Sequence, residues 1–113
     1  MKQGFALREC FAEDAVWHVP GGSTMAGTYR GRTEIFGFLG NLPKQTGGTY
    51  SSRLIDVLTS GDRAAALYRA SGERNGRTLD LDQVLLFTIR DGLVAEVLAL
   101  PNDPATFDEF WGS

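Results

Sequence analysis

The sequence has little of what most catalytic and binding classes need. It holds one cysteine, Cys10, so no disulfide can form within the chain. That usage suits a reducing compartment, and the expected location is the cytoplasm. Cys10 sits in an apolar segment with no base nearby in sequence, and is expected to be a buried structural thiol rather than a nucleophile. There is one histidine, His18, and no His/Cys/carboxylate cluster at ligand spacing, so no metal site is expected. No Gly-x-Gly-x-x-Gly, no P-loop and no Gly-x-Ser-x-Gly elbow occurs, and no cofactor is implied. No apolar run approaches the roughly 20 residues of a membrane span. The start does not read as a signal peptide either, because Arg8 and Glu9 interrupt it. Eleven basic residues are scattered among fourteen acidic ones for a net charge of −3, which argues against a nucleic-acid partner. Arg30 and Arg32 form the closest basic pair and are expected to be solvated near a helix start.

What remains is an ordinary globular composition. The 113 residues suit a single domain over 1–113, and a 42% hydrophobic share suits one core.

Periodicity sets the expected elements. In 3–13, Leu7 and Phe11 lie four apart, as do Ala6 and Cys10, which predicts a short docked helix. Ala15–Val19 predicts a strand, broken by Pro20-Gly21-Gly22, and Ser23–Thr28 a loop. Ile35, Phe38, Leu39 and Leu42 recur at helical spacing, and Pro43 is expected to end that helix. A meander follows: strands 50–58, 63–72, 78–89 and 93–100, with turns at Ser60-Gly61-Asp62, Arg74-Asn75-Gly76 and Asp91-Gly92. Asp103-Pro104 then fits the cap and first position of a last helix carrying Phe107, Phe110 and Trp111. Segregated helices beside antiparallel strands mean an α+β fold, with four to six strands and about three helices. A bent sheet of this kind encloses an apolar pocket, a usual place for a small hydrophobic ligand.

Two stretches carry a family likeness. They are Phe11-Ala12-Glu13-Asp14-Ala15-Val16-Trp17-His18-Val19-Pro20-Gly21 followed by Ala26-Gly27-Thr28-Tyr29-Arg30-Gly31-Arg32, and Arg90-Asp91-Gly92-Leu93-Val94-Ala95-Glu96-Val97 followed by Asp103 and Phe107-Asp108-Glu109-Phe110-Trp111. Together they resemble the SnoaL-like group of the NTF2-like superfamily, which includes polyketide cyclases and ketosteroid isomerases. The resemblance implies a cone-shaped α+β fold, a homodimer through the outer sheet face, and chemistry without a cofactor. It also implies a longer N-terminal helix than is present here, where about three turns remain by helix geometry. Position by position, the isomerase base falls on Val19 and its oxyanion-stabilising Asp on Leu85. The cyclase acid/base falls on Asp103, but strands 63–72 and 78–89 lack its histidine partner.

The candidate site follows. Asp103 is the first catalytic candidate, set against its competing role as a helix cap, which would stabilise its charged form. His18 is the second, for its titration near neutral pH. Strand alternation puts Trp17 and Val19 on the pocket face and His18 on the other. Gln83, Leu85 and Phe87 belong to the inward set of the long strand with Leu79 and Leu81, whereas Asp80 and Asp82 face outward. Tyr29, Tyr50 and Tyr68 are expected ligand contacts, apolar with a polar tip. The expected function is a pocket protein for a small apolar, ring-containing compound, either a cofactor-free isomerase, cyclase or hydrolase, a binding protein, or a dimeric scaffold.

Overall fold

The computed structural model describes residues 8–112. Their order is β1 (Phe11–Val19), β2 (Gly27–Arg30), α1 (Gly31–Gln45), β3 (Ser51–Ser60), β4 (Arg63–Arg74), β5 (Arg77–Arg90), β6 (Leu93–Pro101) and α2 (Pro104–Trp111). The fold is α+β, with one six-stranded sheet ordered β2-β1-β6-β5-β4-β3. Two helices, rather than three, lie among the described residues. The expected N-terminal helix falls largely outside them.

The meander forms as its sequence dictates. Asn75-Gly76 and Asp91-Gly92 both take positive φ at both turn positions (52° and 79°, 55° and 78°). That is the two-residue turn whose twist matches the flanking strands. Bulges interrupt the β3–β4 ladder between Leu54 and Asp56 and the β5–β6 ladder between Thr88 and Ile89. Each adds a local bend to the sheet.

Four expectations about the strands and helices need correction. Phe11–Glu13, the end of the expected helix 3–13, is strand, and Phe11 pairs with Val94 of β6 in a ladder that outweighs the helical spacing. That pairing is parallel, so the sheet is not purely antiparallel. Gly27–Arg30 is a four-residue edge strand on β1, taking in Gly27 and Thr28, the expected end of a loop. Pro43 sits inside α1, which runs on to Gln45. It lies in the last turn, where its missing N–H removes a single bond, and its carbonyl still accepts from Gly48 N at 2.8 Å.

Both helices cover one face of the sheet. Ile35 of α1 is fully buried, as are Phe110 and Trp111 of α2. Aromatic rings fill the layer between: Phe11 meets Phe36 edge-on at 5.5 Å, and Phe110 meets Trp111 at 4.8 Å. Edge-to-face pairs of this kind add to their area burial. Arg32 is not simply solvated: its Nε and Nη2 donate to the Phe11 carbonyl at 2.9 and 2.7 Å, tying α1 to β1. Cys10 is exposed, contrary to expectation, because it lies in the turn before β1 and not on a helix face.

Candidate functional site

Between the helices and the sheet lies a cavity of about 140 Å³. Side-chain alternation explains its wall. Trp17 and Val19 point inward from β1, and Gln83 and Leu85 from β5. Tyr68 comes from β4, opposite Gln83, and Ser52 from β3, opposite Ala70. Phe38, Leu39 and Leu42 close it from α1, and Phe107 and Trp111 from α2. No charged side chain is among the described residues of this wall.

The polar groups gather at one end. The Tyr68 hydroxyl donates to Gln83 Oε1 at 2.5 Å, and Gln83 is 4% exposed. Burial pushes the Tyr68 phenol well above its usual range, and the Tyr50 phenol beside it pushes the same way. Burial also raises Tyr50, while its hydrogen bond with Tyr68 pulls it partly back. Both phenols therefore stay protonated across the physiological range and serve as neutral hydrogen-bonding groups. Trp17 is 7% exposed, and its indole Nε1 has no hydrogen-bond partner among the described residues.

The expected site residues divide. Trp17, Val19, Tyr50, Tyr68, Gln83 and Leu85 come together around the cavity. Tyr29 and Phe87 do not reach its wall. Tyr29 stacks on Phe38 at 4.4 Å and donates to the Met25 carbonyl at 2.7 Å, so it props the wall from behind. Phe87 keeps the inward side of β5 but packs against the core beyond the cavity. Asp103 is outside too. It caps α2, accepting from Thr106 N at 3.2 Å and from Thr106 Oγ1 at 2.7 Å. Those bonds lower its pKa, the Thr106 side chain first, and leave it a weak base. The capping role is the one this geometry supports.

His18 faces the opposite side of the sheet. Its Nε2 lies 2.9 Å from Glu96 Oε2 and its Nδ1 3.3 Å from Thr28 Oγ1. Asp80 and Asp82 are also outward, where both bind the Arg69 guanidinium, which holds Asp80 below its ordinary pKa. Among the described residues no group of three or more His, Cys, Asp or Glu is placed to hold a metal ion. Sequence reasoning missed Met25, Ser52 and Ala99 as wall residues. Met25 sits in a loop with no periodic signal, and Ser52 and Ala99 are small residues that only the ladder register brings to the cavity.

The SnoaL-like domain family matches residues 5–97 of the chain. The chain belongs to the SnoaL-like family. An uncharacterized protein of Mycobacterium tuberculosis is 34% identical over 106 residues, 93% of this chain and 81% of its own. Bal32a, from a soil-derived mobile gene cassette, superposes with a TM-score of 0.92 at 37% identity, over 97% of this chain and 85% of its own. TerC, co-crystallized with polyporic acid, superposes at 0.76 with 27% identity, over 92% and 82% of the two chains. A putative polyketide cyclase of Sinorhizobium meliloti superposes at 0.70 with 26% identity, over 87% and 82% of the two chains. Among the described residues no helix of this SnoaL-like chain is long and apolar enough to cross a membrane.

Proposed function

We propose that the protein takes a small, largely apolar ring compound into the cavity and holds it there by its one polar end. The observation that carries this reading is the wall itself: aromatic and aliphatic side chains from both helices and four strands, with Tyr50, Tyr68 and Gln83 grouped together. A pocket that is mostly apolar with a few convergent polar groups is the usual form of a small-molecule site. The crystallization of TerC with a small organic compound supports carrying the same use to this chain. A thermal-shift screen against one-ring, fused-ring, terpenoid and fatty compounds tests it. A saturable rise in midpoint for one class is expected, since a ligand that binds only the folded state stabilises it. No shift from any class would remove the reading.

Conversion of the ligand, as a cofactor-free isomerase, cyclase or hydrolase, is favoured by one feature. The Tyr68–Gln83 pair sits in an apolar wall, where fixed hydrogen-bonding groups act more strongly on developing oxygen charge than in water. Asp103 and His18 have no part in this reading, since both point elsewhere. Turnover of a ligand found in the screen, lost in Tyr68→Phe with binding retained, is the outcome that would separate enzyme from binding protein.

The partner we propose is a second copy of the chain on the outer sheet face. Leu58, Ala65, Leu86 and Leu98 are laterally paired across four strands, and Leu67, Val84 and Leu100 form a second row beside them. Both helices lie on the other face, and Leu58 and Leu100 are exposed. Leu58→Lys with Leu100→Lys is expected to halve the mass seen in sedimentation, and a wild-type monomer would end the proposal. The exposed thiol of Cys10 suits a reducing compartment, and the cytoplasm is the location proposed.

A further inference from the structure

The hydrogen-bonding groups of the cavity are unevenly assigned. A hydroxyl has one proton, and that of Tyr68 goes to Gln83 Oε1. The Gln83 carbonyl is therefore engaged, and its Nε2 amide, a donor only, has no partner among the described residues. The indole Nε1 of Trp17 is also a donor without a partner among the described residues, but its neighbours seal it from the cavity. The Met25 carbonyl, an acceptor near the wall, already takes the Tyr29 hydroxyl. The Tyr50, Tyr68 and Ser52 hydroxyl oxygens are acceptors on the same wall, so the Gln83 amide is the donor there left open to a ligand oxygen. A ligand oxygen would give the Gln83 amide a partner inside the apolar wall.

Size and charge narrow the ligand further. A cavity of about 140 Å³ is close to the roughly 150 Å³ apolar cavity that accepts benzene in another protein, and well below the roughly 300–1,000 Å³ of common drug-sized sites. No described wall residue carries a charge that would offset the desolvation of an ionised ligand. We propose that the ligand is a neutral, one-ring carbonyl compound whose oxygen accepts from the Gln83 amide. This rests on the cavity being a binding site, and deepens that reading by naming the chemistry it selects.

Two near-isosteric probes test it on the intact protein: acetophenone, with a carbonyl oxygen, and α-methylstyrene, with a methylene in its place. Acetophenone is expected to bind about 5-fold more tightly, the worth of one ordinary hydrogen bond. Its bound carbonyl stretch is expected at lower frequency than in hexane. In Gln83→Met, of similar shape without the amide, the preference should fall toward unity and the band should move back. Equal affinities in the wild type, or an unshifted band, would overturn the proposal while leaving an apolar binding site in place. Tighter binding of benzoate than of acetophenone would overturn its neutral character. Multi-ring compounds binding where neither probe does would overturn its size. If no ring compound of any size binds, the site reading fails as well. Should Gln83→Met not fold, the wild-type pair and the infrared band still decide.

Discussion

The two faces of the sheet are made by the same strands and meet different fates. On β5, Leu79, Leu81 and Gln83 face inward and are buried, while Asp80 and Asp82 face outward and share Arg69. The outer face is not simply polar, however. Further along, the inward Leu85 alternates with outward Val84 and Leu86, and both faces become apolar. The inner face is covered by two helices of the chain. The outer rows have no helix over them, and end in Leu58 at 66% exposure on the edge strand β3. Apolar composition alone therefore does not say where the core is. The covering elements do.

Substitutions on either side should separate these roles. The largest effect is expected from Trp111→Ala on the covered face, because Trp111 is 1% exposed and lines the cavity. A loss of about 3–5 kcal/mol is expected in urea unfolding. A loss below 1 kcal/mol would mean that α2 covers the sheet without holding it. Next comes Gly21→Ala, in the loop that meets α2. Gly21 has φ of 101°, and an added Cβ would press into the Asp108 carboxylate, which itself accepts from Gly22 N at 3.1 Å. A cost of about 1–3 kcal/mol is expected, measured the same way.

Asp103→Ala should lower the thermal midpoint more modestly, and its effect should depend on pH. The folded pKa lies below the ordinary 3.8, so the carboxylate's contribution is fully present above that value and fades as pH falls through the folded pKa. Wild-type and variant midpoints should therefore converge in strong acid, and a gap that persists there would show a role other than capping by the charged form. The smallest effect is expected from Leu58→Ala on the uncovered face, within about 0.5 kcal/mol for the isolated chain. A larger loss at high protein concentration alone would sharpen the contrast, since it would report a contact between copies.

Local patterns in the sequence carried much of this. The alternation Leu79, Leu81, Gln83, Leu85 marked the inward side of β5, and Asn75-Gly76 and Asp91-Gly92 marked hairpins through their own turn preferences. Asp103-Pro104 read as a cap and is one, which is why its competing reading as an acid/base falls away. What was hidden depended on distant partners. Phe11 carries helical spacing from Leu7, and its pairing with Val94 of β6 places it in a strand instead. Tyr29 has the character of a ligand contact, yet the nearby Met25 carbonyl engages its hydroxyl. The cavity's small wall residues, Ser52 and Ala99, have no chemical signal at all until the ladders fix their place.

The parallel join of β1 to β6 has a temporal consequence. His18 reaches Glu96 across 78 residues of chain. As the chain leaves the ribosome, β1 can form a ladder with β2 at once, but its other neighbour is made almost last. Closing so long a loop is entropically unfavourable before the contacts it permits are gained, and topologies of this kind fold slowly. The inward face of β1, with Trp17 and Val19, therefore waits for nearly the whole chain before its sheet is complete. A chain stopped before Leu93 would have every cavity residue of β1 and none of the strand that holds β1 beside β5.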